Sequence, residues 1–305
     1  MIEPLERSSN RVGIDISGSL FRAVSIDEND ALTSTLSASV ETRELRGPQL
    51  IGFIDGLRTE WGDFQKLGIS VPGLVDRRTH RVALSAHIPE HSDTDLQRDI
   101  QAATGLETTI ENDANAAAYG EFKLGSGRGS NNMFYITLGE GIGGAFIFHG
   151  EIWQGAAVYA GEFGYFAIKS EGTRLQDVAS TANIIRRTRS RFNRDSTSSL
   201  NKLTEEAITL SAIISAADNQ DDFAQMMLKR TGAYVGSAVA NVINLLNVEK
   251  IVIGGEIMKA RHLVLDAIVD RAHELSFGPS FDSASIVEGE LGENAAAIGA
   301  ALLVN

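Results

Sequence analysis

Two stretches of the chain share one pattern, in which an apolar run meets a turn of small residues and a second apolar run. The first stretch begins at Val12 and turns at Ser17-Gly18-Ser19, and the second begins at Met133 and turns at 139–144. Apolar runs joined in this way predict strand-turn-strand units. The strand-turn-strand pattern thus occurs twice, which favours two domains of similar fold. A length of 305 residues is also sufficient for two hydrophobic cores.

The rest of the sequence alternates strands with helices, which predicts an α/β fold class. A third strand at 32–40 would complete an antiparallel meander with the first two. Asp93 or Thr94 is expected to cap a helix that ends at Gly105. Further helices are expected over 48–61, 114–124, 204–217, 222–246, 259–275 and 295–303.

Composition restricts the class of partner. The formal net charge of −13 opposes binding to nucleic acid or to an anionic membrane surface. The chain has no cysteine, so disulfides and thiolate metal sites are excluded. No apolar run reaches the roughly 18–20 residues of a membrane span, and no signal core is visible, so a cytoplasmic location is expected. A group of arginines at 186–191 is interpreted as a solvated helix face or an anion contact.

Asp15 ends the first strand and precedes the Ser17-Gly18-Ser19 turn. Backbone N–H groups in such a turn can meet phosphate oxygens, and the carboxylate can hold Mg²⁺ directly or through water. An ordinary hairpin turn explains the same residues, and by itself it is the simpler interpretation.

The second turn contains Gly139, Gly141, Gly143 and Gly144. Glycines let a backbone approach phosphates closely. No Gly-Lys-Ser/Thr follows, so this is not a Walker loop, and no helix follows as a dinucleotide fold requires. A structural hairpin and a phosphate loop both remain open at this point.

Asp113 stands where a strand meets an alanine-rich helix. It can be an N-cap, or it can be a general base that takes the proton of a substrate hydroxyl. Gly254-Gly255 follows another strand, either as a plain turn or at a strand end where ligands dock.

The order of these pieces along the chain resembles the ROK proteins (repressors, open reading frames, kinases), a branch of the actin-like sugar kinases. The matching segments run from residue 13 to residue 301 and are Gly13–Ser19, Val71–Asp76, Glu111–Ala117, Thr137–Gly144, Gly155 with Ala160–Gly164, Ile251–Gly255 and Ile298–Ala301. Each segment alone is weak evidence for the family, whereas the whole set in this order is specific to it.

The resemblance implies a two-domain actin-like ATPase fold, also called ribonuclease H-like, with an interdomain cleft. It implies an N-terminal lobe of residues 1–116, to which a C-terminal helix, 295–305, returns, and a larger C-terminal lobe of residues 117–294. Closing the cleft would keep water from the donor.

The resemblance also implies roles for individual residues. Asp113 would be the catalytic base, and Asp15 would hold Mg²⁺ through water or phosphate. The sugar would be bound by Asn112, Glu162, Tyr165 and Gln176. The donor phosphates and nucleoside would be bound by Asp15, Ser17, Gly18, Ser19, Thr137, Gly139, Gly141, Gly143, Gly144, Gly254 and Gly255.

Several positions depart from the family pattern. Tyr165 stands where many members have a zinc-binding histidine, and the accompanying cysteines are missing, so no zinc is expected. Gln176 falls near a second sugar-binding glutamate of the family. Glu140 puts a negative charge in the second glycine turn, where threonine is common. The first turn lacks the usual Gly-Gly-Thr-Lys.

The expected function is a ROK-type sugar kinase, glucokinase-like, which transfers phosphate from ATP-Mg²⁺ to a hexose or N-acetylhexosamine. Polyphosphate is an open alternative donor, and a homodimer is expected from the resemblance. The alternative function is a catalytically impaired sugar-binding or regulatory protein. It would have no DNA-binding domain, since only about ten residues precede the first strand.

Overall fold

A computed structural model describes residues 10–40, 46–76, 78–79, 81–85, 92–194 and 196–304. Residue contacts divide the chain into two compact units. The first unit contains residues up to Arg128, Ile152–Ala160 and the chain from Leu291, and the second contains Gly129–Glu151 and Gly161–Glu290. The predicted lobe boundaries, 1–116 with 295–305 and 117–294, stay a prediction.

The first sheet has the strand order β3-β2-β1-β4-β7. Its strands are β1 (Arg11–Ile16), β2 (Leu20–Ile26), β3 (Leu32–Ser39), β4 (Lys66–Val71) and β7 (Glu107–Asn112). Strands β1, β2 and β3 form the predicted antiparallel meander. Strands β4 and β7 add in parallel to β1, so three neighbouring strands end at one edge of the sheet. A separate hairpin pairs β5 (Leu74–Asp76) with β6 (Arg81–Leu84).

Four helices belong to the first unit: α1 (Arg46–Trp61), α2 (Leu96–Thr104), α3 (Asp113–Leu124) and α10 (Ala295–Leu303). The apolar face of α1 is buried through Leu50, Ile54 and Leu57, as its spacing predicts. Helix α2 begins after Asp95, whose side chain accepts a hydrogen bond from the N–H of Arg98. The prediction that Asp93 or Thr94 caps this helix is therefore wrong, because the Asp95 carboxylate takes the cap.

Helix α10 lies directly on the first sheet and on α3. A Cβ atom on Gly68 of β4 would fall 1.9 Å from the carbonyl oxygen of Ala300, and one on Gly299 would fall 1.7 Å from that of Ala116. Both neighbours are backbone atoms, so no side-chain movement could make room. Glycine at these positions is what lets the last helix of the chain pack against the first unit.

The second sheet has the strand order β10-β9-β8-β11-β12. Its strands are β8 (Met133–Leu138), β9 (Ile142–Phe148), β10 (Glu151–Trp153), β11 (Lys250–Gly254) and β12 (Ser285–Glu288). Strands β8 and β9 form the second predicted hairpin. Strand β11 pairs in parallel with β8, and β12 pairs in parallel with β11. The second sheet therefore has the same pattern of strand pairing as the first sheet.

The second unit is mainly helical outside its sheet. Its helices are α4 (Gln176–Ala179), α5 (Thr181–Arg189), α6 (Leu210–Asp218), α7 (Asp222–Leu246), α8 (His262–Leu275) and α9 (Gly278–Asp282). Helix α7 has the predicted bounds, and it buries Val235, Val239 and Val242 in the larger of the apolar cores. No described helix is both long enough and apolar enough to cross a membrane.

The helix expected over 204–217 begins six residues late. Thr209 is its N-cap, since its hydroxyl accepts a hydrogen bond from the N–H of Ala212. The Arg189 guanidinium donates to the carbonyl oxygens of Glu206 and Ile208. These contacts hold the preceding segment in turns, so the helical prediction is wrong there.

One arginine of the 186–191 group is buried. The Arg187 side chain is 9% exposed, and its Nη2 donates to Thr231 Oγ1 at 2.7 Å. Its Nε and Nη1 are buried with no hydrogen-bond partner within the described residues. Burial lowers the pKa of Arg187 to about 10, and the neighbouring arginine charges contribute in the same direction. The interpretation of this group as a solvated face is wrong at Arg187.

Candidate functional site

The parallel strands of the first sheet bring three polar side chains into one row. Asp15 on β1 pairs with Ser70 on β4, and Ser70 pairs with Glu111 on β7. All three lie at the carboxyl ends of their strands, which is where ligands dock in many open α/β sheets. Asn112 and Asp113 follow directly from β7 at the same edge.

Asp15 is buried and held by Ser70. The Ser70 hydroxyl donates to Asp15 Oδ1 at 2.5 Å, and the Ser70 side chain is itself fully buried. Burial raises the pKa of Asp15 above its usual value, while the Ser70 hydrogen bond and the charge of Arg22 act in the opposite direction. Ser70 was missed from the sequence, although it stands just before the Val71–Asp76 segment used for the resemblance.

Asn112, rather than Asp113, is the N-cap of α3. Asn112 Oδ1 accepts from the N–H of Asn115 at 3.0 Å. Its Nδ2 donates to Asp113 Oδ1 and to the carbonyl oxygen of Gly73, each at 2.9 Å. The cap interpretation of Asp113 is therefore wrong, and the amide of Asn112 orients the Asp113 carboxylate.

Asp113 has an environment suited to a base at neutral pH. Burial and, after it, the negative charge of Asp15 raise the pKa of Asp113 to about 7. Hydrogen bonds from Asn112 Nδ2 and from the N–H of Ala114, at 2.8 Å, both fall on Oδ1. The carboxylate is thus fixed through one oxygen and can accept a proton near pH 7.

The first turn is closed by its own hydrogen bonds. The N–H of Ser17 donates to the carbonyl oxygen of Leu20 at 2.9 Å, and the Ser17 hydroxyl donates to the same oxygen at 3.0 Å. The expectation of free N–H groups in this turn is therefore not met at Ser17. Gly18 and Ser19 are exposed at its tip.

The row at the first sheet edge fits a single divalent cation bound with phosphate. The charge of Asp15 disfavours the ionised form of Asp113, so a cation between substrate and protein would relieve this repulsion. Mg²⁺ commonly takes one or two carboxylates and completes its shell with phosphates and waters. Within the described residues, no group of three or more His, Cys, Asp or Glu side chains is placed to hold a metal ion.

In the second unit, the glycine turn at 139–144 packs tightly on its surroundings. The N–H of Gly139 donates to the carbonyl oxygen of Gly141 at 3.0 Å. A Cβ atom on Gly144 would fall 2.7 Å from the ring of Phe134, and one on Gly161 would fall 2.1 Å from the carbonyl oxygen of Gly144. Glycine is therefore needed where the segment at 161 crosses this hairpin.

The carboxyl end of β11 lies beside that of β8. Gly254 pairs with Thr137, so both predicted nucleotide-binding residues sit at one sheet edge. Gly255 has φ +94°, and a Cβ atom there would fall 2.3 Å from the carbonyl oxygen of Leu138. The Gly254-Gly255 pair is thus required by packing on β8, and it holds this edge close to the glycine turn.

Two residues missed from the sequence, Thr181 and Glu256, brace the glycine turn. The N–H of Thr181 donates to the carbonyl oxygen of Gly139 at 2.9 Å. The Thr181 hydroxyl donates to Glu256 Oε1 at 2.7 Å. No local pattern marks either residue, because they are 75 positions apart and meet only through the fold.

The predicted sugar-binding residues of the second unit flank a small hairpin. Ala167 bridges Arg174, and the N–H of Leu175 donates to the carbonyl oxygen of Phe166 at 2.8 Å. This pairing brings the short 3₁₀ helix Phe163–Tyr165 near the start of α4, which is Gln176. The hairpin therefore places three expected sugar-binding residues on one segment, and they are Glu162, Tyr165 and Gln176.

The surroundings of Tyr165 and Glu162 differ. The Arg174 guanidinium lies over the Tyr165 ring at 4.5 Å from its centroid, a cation–π contact. Desolvation by surrounding protein atoms raises the pKa of Glu162 above its usual value. Both side chains are exposed, so they remain accessible to a ligand.

Comparison with known proteins gives consistent matches along the whole chain. The sequence model of the ROK family matches residues 11–305. A glucokinase from Halalkalibacterium halodurans is 32% identical over 82% of this chain and 79% of its own. A glucokinase from Thermotoga maritima is 28% identical over 96% of each chain. The crystal structure of a ROK family glucokinase from Streptomyces griseus, in complex with glucose and AMPPNP, has a TM-score of 0.86 and 26% identity, covering 97% of this chain and 99% of its own.

Proposed function

Since the chain belongs to the ROK family, we propose that it is a sugar kinase that transfers the terminal phosphate of ATP to a sugar hydroxyl. The relatives and the structural likeness confirm the predicted family and the α/β fold class, and they support the sugar-kinase activity. The observation that carries the proposed mechanism is Asp113, a fixed carboxylate whose pKa is raised to about 7.

Asp113 acts as the general base. As the sugar hydroxyl oxygen attacks the terminal phosphorus, its proton passes to the Asp113 carboxylate. A new bond joins the sugar oxygen to phosphorus, and the bond from phosphorus to the bridging oxygen of the donor breaks, which leaves ADP. Asn112 Nδ2 donates to Asp113 and holds it in place, and Asn112 Oδ1 makes the contact with the sugar.

The remaining assignments follow the sequence prediction. Mg²⁺, held at Asp15 through water or phosphate, would neutralise charge on the donor phosphates. The sugar hydroxyls are hydrogen-bonded by Glu162, Tyr165 and Gln176. The donor phosphates and nucleoside are bound at Ser17, Gly18, Ser19, Thr137, Gly139, Gly141, Gly143, Gly144, Gly254 and Gly255.

Turnover tests this function directly. The relatives named glucokinase make glucose the first acceptor to try, followed by mannose, N-acetylglucosamine and N-acetylmannosamine. With Mg²⁺-ATP, we expect Asp113→Asn to lower kcat by about 10²–10⁴-fold while glucose binding, measured by calorimetry, changes little. Asp99→Asn on α2 is a matched control, because Asp99 is exposed and we expect wild-type kinetics from it.

The outcome also separates the kinase from the regulatory alternative. If sugars raise the melting temperature and yet no donor and sugar pair turns over, the protein binds sugar without catalysis. Full activity in Asp113→Asn would overturn the assignment of the base. The expected homodimer is a separate proposal, which light scattering of the purified chain tests.

A further inference from the structure

The donor edge of the second unit carries a carboxylate that the proposed mechanism does not use. Glu256 follows Gly255, and a Cβ atom built on Gly139 would lie 3.6 Å from Glu256 Cγ. The Glu256 side chain therefore packs against the glycine turn that we assign to the donor phosphates. Its position is between this turn and Gly254-Gly255, the residues assigned to the nucleoside.

The Glu256 carboxylate is held in one orientation. Oε1 accepts the hydrogen bond of the Thr181 hydroxyl, and the backbone of Thr181 is bound to Gly139. The carboxylate, Thr181 and the first glycine of the turn thus form one connected unit. A carboxylate fixed in this way accepts further hydrogen bonds and donates none when it is ionised.

A fixed negative charge beside a phosphate loop discriminates between donors. Inorganic polyphosphate carries negative charge along its whole length, so any part of it that extends past the turn meets Glu256 unfavourably. A nucleoside triphosphate instead continues from its phosphates into a ribose. The ribose is neutral and offers two hydroxyl donors to a carboxylate.

We infer that Glu256 is a specificity-determining residue, which accepts a hydrogen bond from a ribose hydroxyl of the donor and disfavours inorganic polyphosphate. The inference rests on the proposed function and narrows its donor to a ribonucleoside triphosphate. Thr181 is a positioning residue that orients the carboxylate.

The test compares four donors with glucose as acceptor: Mg²⁺-ATP, its 2′-deoxy analogue, its 3′-deoxy analogue and inorganic polyphosphate. For the wild-type protein, we expect kcat/KM to fall about tenfold on one deoxy analogue and at least 100-fold on polyphosphate. In Glu256→Gln, the loss on the deoxy analogue should shrink to about twofold or less, and the polyphosphate rate should rise. The KM for ATP should rise about tenfold while kcat stays within about twofold.

Two further variants distinguish recognition of the ribose by Glu256 from a general effect of negative charge and from an effect on folding. Glu140→Gln removes the exposed carboxylate of the same turn, and we expect it to leave the ratio of ATP to deoxy-ATP unchanged. Thr181→Val keeps the volume but removes the hydroxyl, so the ratio should move part of the way toward that of Glu256→Gln. Each variant must melt within a few degrees of wild type for the comparison to stand.

Binding measurements keep this test independent of turnover. Calorimetry with Mg²⁺-ATP and its deoxy analogues reports the ribose contact even if no sugar is phosphorylated. An unchanged ratio of the two affinities in Glu256→Gln would overturn the inference and leave the kinase proposal intact. Equal use of polyphosphate and ATP by the wild-type protein would also overturn it.

Discussion

The carboxylates of Asp15 and Asp113 lie at the ends of β1 and β7, with β4 between them, and the charge of Asp15 raises the pKa of Asp113. Ser70, on the intervening strand, donates its hydroxyl proton to Asp15 Oδ1. The two acids are therefore held differently: Asp15 by a serine hydroxyl, and Asp113 by an asparagine amide and the helix backbone. These different environments suit Asp15 to face a cation and Asp113 to accept a proton.

The first prediction concerns the pH dependence of activity. A base works in its deprotonated form, so kcat/KM should rise with pH and reach half of its plateau near pH 7. The profile should be measured with both substrates below saturation, because the charges of bound Mg²⁺ and nucleotide would shift the pKa of Asp113. A half-maximum below about pH 5 would show that Asp113 keeps an ordinary pKa.

The second prediction concerns stability in the absence of ligands. The pKa of Asp113 is higher in the folded chain than in the unfolded chain. The contribution of Asp113 to the free energy of unfolding is therefore fully present below about pH 4 and is lost as the pH rises through 7. Asp113→Asn removes that charge and should raise the free energy of unfolding at pH 8, by up to about 4 kcal/mol. At pH 4 the two proteins should melt together. Calorimetric melting at both values checks this, and a variant less stable at pH 8 would contradict it.

The third prediction separates two roles of Asn112, which caps α3 and orients the Asp113 carboxylate. Asn112→Ala removes the cap of α3 and the amide that holds Asp113, so it should cost about 1–2 kcal/mol and lower kcat at least tenfold. Asp95→Ala removes only the cap of α2 and should cost about 1 kcal/mol with normal kcat. Denaturant unfolding and steady-state kinetics report the two effects. Equal kinetics in both variants would mean that the amide does not orient the base.

The fourth prediction concerns the packing of α10. Gly68→Ala places a methyl group where the carbonyl oxygen of Ala300 lies, so it should destabilise the chain by about 3 kcal/mol or more. Gly52→Ala, on α1, meets nothing within 4 Å and should stabilise by about 0.5–1 kcal/mol. Thermal unfolding of both variants checks the sign of each change. A Gly68→Ala protein as stable as wild type would show that α10 can move off the sheet.

The fifth prediction concerns the buried arginine of α5. Two guanidinium nitrogens of Arg187, Nε and Nη1, are buried without a hydrogen-bond partner in the described part of the chain, so Arg187→Met should leave stability unchanged or raise it by about 1 kcal/mol. Arg189 donates to the carbonyl oxygens of Glu206 and Ile208, so Arg189→Met should lower stability by about 1–2 kcal/mol. Melting curves rank the two variants. Arg187 also donates to Thr231 Oγ1, and its guanidinium lies over the Tyr234 ring at 5.5 Å from the centroid. Greater loss in Arg187→Met would mean that these two contacts outweigh the cost of the unpartnered nitrogens.

Local patterns in the sequence were sufficient for much of the fold. The apolar spacing of α1, the bounds of α7 and the hairpin β8–β9 were predicted because the period of apolar residues reflects local geometry. Helix starts were less predictable. Thr209 and Asp95 were missed as caps, since neighbouring residues of similar chemistry compete for that position and the surrounding contacts choose between them.

The site divides in the same way. The sequence by itself determined the family, the order of the motifs and the candidate base Asp113, because these depend on residue identity along the chain. Only the tertiary structure decided that Ser70 holds Asp15, that Thr181 and Glu256 brace the glycine turn, and that Arg187 is buried. The physical reason is range: each of these contacts joins residues 44 to 75 positions apart, which strand register and helix packing bring within hydrogen-bond distance.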